Sequence, residues 1–393
     1  MYKDSFLTRR RAVKLGFGML AGAVGAVTTS KAIDLNNQIQ ALDNPNRKFP
    51  VNGKLSLKER ATAKGLIYGA AIQYSQLSLD REIATNVKRE CGMLIPEWEL
   101  KWFVGKQPLR PSPYTFDFRA ADWMANFAKT HGLLLRGHTL VWHESLPPWF
   151  EKTVNNQNAK RFLEEHIKTV VQHYAGKIHS WDVVNEAINL SDGRSDGLRK
   201  TPWLKFLGSD YIELAFRLAA EADPQALLVY NDFGLDYDTS KDEAKRNAVL
   251  KLLERLKTKG TPIHALGIQA HLTANEAKFS PSKLRQFLRD VASLGLKILI
   301  TEMDVVDKKL PVDIKVRDRI VAGVYEDYLS VVLDERAVIA VLTWGLSDRY
   351  TWLSHFQPRR DRAAVRPLPL DANFRRKLAW NAIARAFDQA PRR

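Results

Sequence analysis

The sequence predicts an α/β chain folded as a (β/α)8 barrel, the TIM-barrel architecture, in a single domain. Three observations carry that prediction. From about residue 65, eight short apolar runs alternate with longer stretches whose apolar residues recur at helical spacing. The alternation continues to residue 393 without a linker or a shift in composition, and eight strand–helix repeats over roughly 325 residues are what such a barrel requires. Nearly every apolar run also finishes in polar residues, which a core strand has no reason to do, because a buried polar group costs free energy unless it is paired. A doubly wound open sheet is the alternative. It usually carries fewer strands and a glycine-rich phosphate loop that this chain lacks.

Residues 1–32 read as an export signal. Arg9, Arg10, Arg11 and Lys14 precede a Gly/Ala-rich apolar run over 15–27, and Ser30-Lys31-Ala32 supplies a small-x-small cleavage pattern. The run is too short for a bilayer, and no other stretch reaches the roughly 18 apolar residues a membrane helix needs, so no membrane span is expected. The stretch from Thr8 to Lys14 resembles the twin-arginine signal and departs from it at Ala12, where an aromatic is usual. A general secretory signal is the alternative. Either route predicts a periplasmic or secreted protein. Residues 33–64 are expected to form a leader packed on the barrel, with a short helical piece over 56–64, and residues 65–393 to form the barrel itself.

Within the barrel the apolar runs cover 65–74, 91–98, 133–142, 178–187, 226–235, 265–272, 297–305 and 338–347. Helices are predicted over 161–174, 211–222, 243–256, 281–294, 317–333 and 374–387. Asp210 before Tyr211, and Ser280 before Pro281, are the kinds of residue that start a helix.

The chain of 393 residues has 45% hydrophobic and 26% charged residues, which excludes a disordered chain, a coiled coil and a disulfide miniprotein. A lone cysteine, Cys91, excludes an internal disulfide and any cysteine-built metal site. The formal charge of +16 suggests a polyanionic partner. Residues 1–32 hold six basic residues against Asp4 alone, a net of +5, so +11 remains without them. Part of that excess is Arg375, Arg376, Lys377, Arg385, Arg392 and Arg393, expected to favour acidic envelope surfaces or acidic polysaccharide. No basic-aromatic motif supports nucleic-acid binding. Two motif matches fail on context. Gly16-Phe17-Gly18-Met19-Leu20-Ala21 lies in the signal and follows no strand, and Gly193-Arg194-Ser195-Asp196-Gly197 lies in a polar loop.

The strand ends point to the chemistry. They bring Glu97 and Lys101; His138, Trp142 and His143; Asn185 and Glu186; Asn231 and Asp232; Gln269 and His271; Glu302 and Asp304; Trp344 and Asp348. On a barrel these ends meet at one mouth. Tryptophan faces stack on sugar rings, and amides and carboxylates bond hydroxyls, so neutral polyhydroxylated substrates fit. His138 and His143, five apart on a strand, face opposite sides and are poor co-ligands, so neither metal nor cofactor is expected. Glycoside hydrolysis uses two carboxyl groups across the scissile bond, and Glu186 and Glu302 are the candidates. By alternation Glu302 and Asp304 share a face, as do Gln269 and His271, which puts His271 within reach of both carboxylates.

At these residues the chain resembles the family 10 glycoside hydrolases, retaining endo-β-1,4-xylanases on a (β/α)8 barrel. The strings that carry the resemblance run in order from Gly137-His-Thr-Leu-Val-Trp-His143 through Trp181-Asp-Val-Val-Asn-Glu186, Tyr230-Asn-Asp232 and Gly267-Ile-Gln-Ala-His-Leu272. Ile300-Thr-Glu-Met-Asp304, Thr343-Trp-Gly-Leu-Ser-Asp348 and Arg366-Pro-Leu-Pro-Leu-Asp371 complete them. The resemblance implies Glu186 as acid/base, Glu302 as nucleophile, Asn185 on the sugar 2-hydroxyl, and His271 and Asp304 around the nucleophile. It implies that Glu97, Lys101, His138, Trp142, Gln269, Trp344 and Trp352 bind substrate on the glycone side. The implied substrate is β-1,4-xylan or xylo-oligosaccharide, with a monomeric enzyme. A related barrel acting on β-1,4-glucan or aryl β-glycosides, and a non-catalytic glycan-binding barrel, are the alternatives. Trp98, Ser145 and Phe233 depart from the family pattern, which usually has asparagine, glutamine and tyrosine there.

Overall fold

The computed structural model describes residues 42–105, 108–274 and 280–393. The expected export signal and residues 33–41 of the leader lie outside the described residues. Asp43–Arg393 form one compact unit.

Among the described residues nine strands, all paired in parallel, follow one another around the unit: β1 Ile67–Ile72, β2 Met93–Pro96, β3 Leu134–Val141, β4 Ser180–Asn185, β5 Leu227–Asp232, β6 Ala265–Ile268, β7 His271–Thr273, β8 Lys297–Val306 and β9 Val338–Thr343. β6 pairs directly with β8 and β9 pairs with β1, so eight strands close a barrel. The three-residue β7 is a spur that pairs with β8 above that closure. The expected sixth run over 265–272 is thus broken in two, at Gln269-Ala270, with Ala270 in the left-handed region at φ 57°. Inside the barrel Ala71, Met93, Ile95, Val229, Ala265, Leu299, Ala340 and Leu342 pack into one apolar cluster capped by Trp344. Closure leaves the eight barrel strands without an open edge.

The helices follow their predicted faces, and the differences lie at their ends. The helix Tyr211–Ala222 has its expected bounds. Its start differs from expectation in one respect: Asp210 caps nothing, and its carboxylate pairs instead with Lys259. Ser280 does cap the helix Pro281–Ser293, accepting from the Lys283 N–H. Two helices extend further toward their N-termini because side chains cap them there: Thr239 for Ser240–Thr258 and Asp313 for Ile314–Val332. The last helix, Leu378–Gln389, begins later than expected. Asp371 gathers the N–H groups of Asn373 and Arg375, and Phe374 takes φ 58°, so the chain turns there before it can coil.

Before β1, Ser56 and Glu59 form a reciprocal capping box at the helix Leu57–Thr62. Asp43 pairs with Arg319, Arg47 with Glu326 and Asp327, and Arg60 with Asp388. These pairs seat residues 43–64 on the helices Ile314–Val332 and Leu378–Gln389. At the far end the Arg393 N–H donates to the Lys64 carbonyl (2.9 Å), and its guanidinium bonds the carbonyls of Val338 and Leu333.

The basic C-terminal residues are therefore less available than their sequence suggests. Arg376 pairs with the fully buried Glu90 and stacks on Trp380, Lys377 pairs with buried Asp348, and Arg385 pairs with Glu326. Much of this charge is spent inside the fold. Among the described residues no helix is long and apolar enough to cross a membrane.

Candidate active site

β4 ends at Asn185, and Glu186 follows it in the left-handed region, at φ 58°. Few residues other than glycine adopt that conformation. Two bonds hold it: the Glu186 N–H donates to the Asn231 carbonyl (2.8 Å), and Arg199 Nε donates to the Glu186 carbonyl (2.7 Å). The Glu186 carboxyl group then accepts from Trp142 Nε1 and Gln269 Nε2, each at 3.0 Å. Both donors are uncharged.

Glu302, near the end of β8, sits in a different setting. One oxygen accepts from Asn231 Nδ2 (2.8 Å), and the other faces His271 Nε2 (3.2 Å). The opposite nitrogen of His271 faces Asp304 (3.0 Å), whose second oxygen accepts from Trp352 Nε1 (2.7 Å). A ring with a carboxylate at each nitrogen can donate to both only as the imidazolium. Burial by itself would lower the His271 pKa, but the charges and bonds of Asp304 and Glu302 outweigh it and raise it to about 10. Burial would likewise raise Glu302, yet the hydrogen bond from His271, with the His271 charge, brings it down to about 2. Both shifts describe one ion pair, charged on each side.

Asn231 joins the two carboxyl settings. It is fully buried, its amide hydrogens go to Glu302 Oε1 and Asn185 Oδ1 (2.8 Å each), and its oxygen accepts from Thr301 Oγ1 (2.7 Å). The Asn185 oxygen is so engaged, and its NH2 group has no partner among the described residues. Gly267 makes this possible, since a Cβ there would stand 2.3 Å from Asn231 Oδ1.

The other expected residues stand at the same mouth. The Lys101 ammonium lies over the rings of Trp142 (5.2 Å) and Trp344 (5.4 Å), and burial lowers its pKa against the carboxylates of Glu97, Glu302 and Glu186. Glu97 is pushed up to about 7 by burial, against the Lys101 charge and a bond from Gln73 Nε2 (3.2 Å). His138 meets Trp344 edge-on (5.2 Å), and its Nδ1 is held 2.8 Å from Asp182, which also pairs with Arg136.

Not every strand-end group faces the mouth. Asp232 turns outward to Lys245 (2.7 Å) and the Tyr230 hydroxyl, because neighbours on a strand point to opposite sides. Asp348 is raised to about 6 by burial and bound to Lys377 (2.8 Å), away from the carboxyl pair. His143 is depressed to about 3 by burial and the Arg199 charge, and its Nδ1 has no partner among the described residues. Asn231 is among the strand-end groups expected at the mouth, while the motifs that contain Asp182 and Thr301 mark no role for them and nothing in the sequence points to Arg199. Asn231 was within reach, since it follows the inward-facing Val229 by two on β5.

None of the three departing residues is buried. Trp98 is 37% exposed at the rim, Ser145 takes φ 57°, and Phe233 lies partly exposed under the Lys245 ammonium, 3.6 Å from its ring centroid.

Known proteins resemble this chain in sequence and in fold. Residues 56–386 match the profile of glycosyl hydrolase family 10. The chain is 39% identical over 306 residues to a β-1,4-xylanase of Dictyoglomus thermophilum, covering 76% of this chain and 82% of that one. It is 34% identical over 305 residues to endo-1,4-beta-xylanase B of Thermotoga neapolitana, covering 77% and 82%. Among solved structures, xylanase 10B of Thermotoga petrophila in complex with xylobiose superposes with a TM-score of 0.77 at 33% identity, covering 86% of this chain and 99% of that one.

Proposed function

The chain belongs to glycosyl hydrolase family 10, and on that footing we propose that it hydrolyses internal β-1,4-xylosidic linkages of xylan with retention of configuration. The observation that carries the proposal is the contrast between the two carboxyl groups. Glu302 is held ionised against the His271 imidazolium, while Glu186 is bonded only by uncharged side chains.

In the first step a Glu302 oxygen attacks the anomeric carbon, and the bond to the leaving oxygen breaks as Glu186 gives that oxygen its proton. The product is a glycosyl ester on Glu302, with Glu186 now a carboxylate. In the second step Glu186 takes a proton from water, the water oxygen attacks the same carbon, and the ester bond breaks to return Glu302. Two inversions give net retention. The free NH2 of Asn185 donates to the sugar 2-hydroxyl. The rings of Trp142, Trp344 and Trp352 flank the sugar, with Glu97, Lys101, His138 and Gln269 bonding hydroxyls on the glycone side. Asp304 acts through His271 and is a positioning residue.

The reading includes export of a monomeric enzyme by the twin-arginine route to the periplasm or beyond, with residues 1–32 as the signal. The test is product profiling on glucuronoxylan for wild type and Glu302→Ala side by side, with the first-formed anomer followed by proton NMR. Wild type should release β-anomeric xylo-oligosaccharides and the variant none. An α-anomer as first product overturns retention, and equal release from soluble cellulose overturns the xylan assignment.

A further inference from the structure

The outer face of the helix Arg119–Thr130 exposes residues that burial free energy would place inside. Its buried side is Ala120, Ala121, Met124 and Ala128, while Trp123 is 37% exposed and Phe127 stands partly exposed next to it. Large rings outside with three alanines and one methionine inside reverse the usual order, because an aromatic ring is the larger apolar area to remove from water. Trp123, Asn126, Phe127, Thr130 and His131 recur at three- and four-residue spacing and line one shallow depression.

The rings form a ladder. Trp123 and Phe127 lie nearly parallel with centroids 5.6 Å apart, Phe127 meets His131 at 4.6 Å, and Tyr74 meets Trp123 edge-on at 5.3 Å. Tyr74 ties the ladder to the mouth. Its N–H donates to one oxygen of Glu99 (2.7 Å), while the other accepts from the N–H of Trp98 (3.2 Å). The preceding residue, Gln73, bonds Glu97 within the candidate site. The stripe therefore starts at the edge of the cleft and runs down the side of the barrel.

Ring faces beside an amide (Asn126) and a hydroxyl (Thr130), with no acid, lysine or arginine in the depression, suit a neutral polyhydroxylated chain rather than an ion. The patch is also small beside a stable protein interface. We propose that this face is a second binding site for β-1,4-xylan, separate from the cleft and continuous with its Glu97 side. It holds polymer against the enzyme while another stretch of chain is cut. The inference rests on the xylanase reading above.

The test uses affinity electrophoresis in gels with soluble xylan, in a Glu302→Ala background so that the polymer is not consumed, alongside kinetics of the active enzyme. Trp123→Ala with Phe127→Ala should weaken xylan retention about tenfold, the loss expected when ring contacts of this kind are removed. In the active enzyme KM on polymeric xylan should rise several-fold while kcat/KM on xylotriose stays unchanged. Asn126→Glu with Thr130→Glu, at exposed positions that leave packing intact, should give the same pattern. Unchanged retention in both double variants overturns the proposal. So does an equal loss on xylotriose, which would place the effect in the cleft, or a switch from dimer to monomer in sedimentation with retention intact, which would make the face a contact between copies. If the parent protein neither binds nor cuts xylan, the proposed function falls as well. If it cuts xylan and the variants match it, only the second site falls.

Discussion

Asn231 Nδ2 lies 2.8 Å from Glu302 Oε1, and the same nitrogen lies 2.8 Å from Asn185 Oδ1. One buried amide thus fixes the orientation of the proposed nucleophile and of the residue proposed to hold the sugar beside it. Asn231→Ala removes a bond to an ionised group, worth about 1.5–3 kcal/mol, so kcat/KM on xylotriose should fall about 10- to 100-fold. Asn231→Asp should also move the acid limb of the kcat/KM profile upward, because a second carboxylate beside Glu302 disfavours its charge. Wild-type kinetics from both variants would remove Asn231 from the site.

Gly267→Ala should act on the same group from behind. The added Cβ would meet Asn231 Oδ1 at 2.3 Å and Thr301 Cγ2 at 3.0 Å, so the amide must move off its two acceptors. Activity should fall at least as far as in Asn231→Ala. A double variant should lose no more than the worse single one, since both remove the same bond. Additive losses would mean that Gly267 serves something else.

The Glu302–His271 pair sets a pH window. Glu302 is depressed to about 2, so its contribution to stability is whole above the unfolded carboxyl range and is lost as pH falls through about 2. His271 is raised to about 10, so its contribution is whole below about pH 6 and is lost as pH rises through about 10. His271→Asn should lower Tm most near pH 5–6 and progressively less toward pH 10. It should also shift the acid limb of kcat/KM upward, because Glu302 loses the cation that keeps it charged. Identical acid limbs in wild type and variant would refute the pairing.

Arg376→Ala tests where the basic tail acts. Glu90 is fully buried and would keep bonds from the Leu57 N–H, Trp380 Nε1 and Arg89 Nε while losing its Arg376 partner. The expected cost is about 1–3 kcal/mol of stability, read as a lower midpoint in urea unfolding. Retention on an anionic surface should change little. The reverse pattern would restore the tail as a docking surface.

The barrel and the two glutamates were legible because they rest on long-range regularities: eight repeats, each ending in polar groups. What the sequence hid was direction. Asn231 and Asp232 are neighbours on one strand, and the pairing of Asp232 with Lys245 from the following helix shows which of them faces the mouth. Asp348 looked like another strand-end group until Lys377, 29 residues later, proved to be its partner. Asp210 carried a helix-start signal, but Lys259 competes for its carboxylate. The helix Arg119–Thr130 escaped prediction because its large rings face outward, so the apolar spacing does not mark its buried side. For Asp232, Asp348 and Asp210 the deciding partner is a lysine from a later segment of the chain.

The hydrogen bond from the Arg393 N–H to the Lys64 carbonyl pins the last described residue beside the segment that leads into β1. Both residues lie at the ends of the strands remote from the carboxyl pair. A linker joined after Arg393 would therefore tether the chain to a solid support from that remote side, with the mouth still open to polymer.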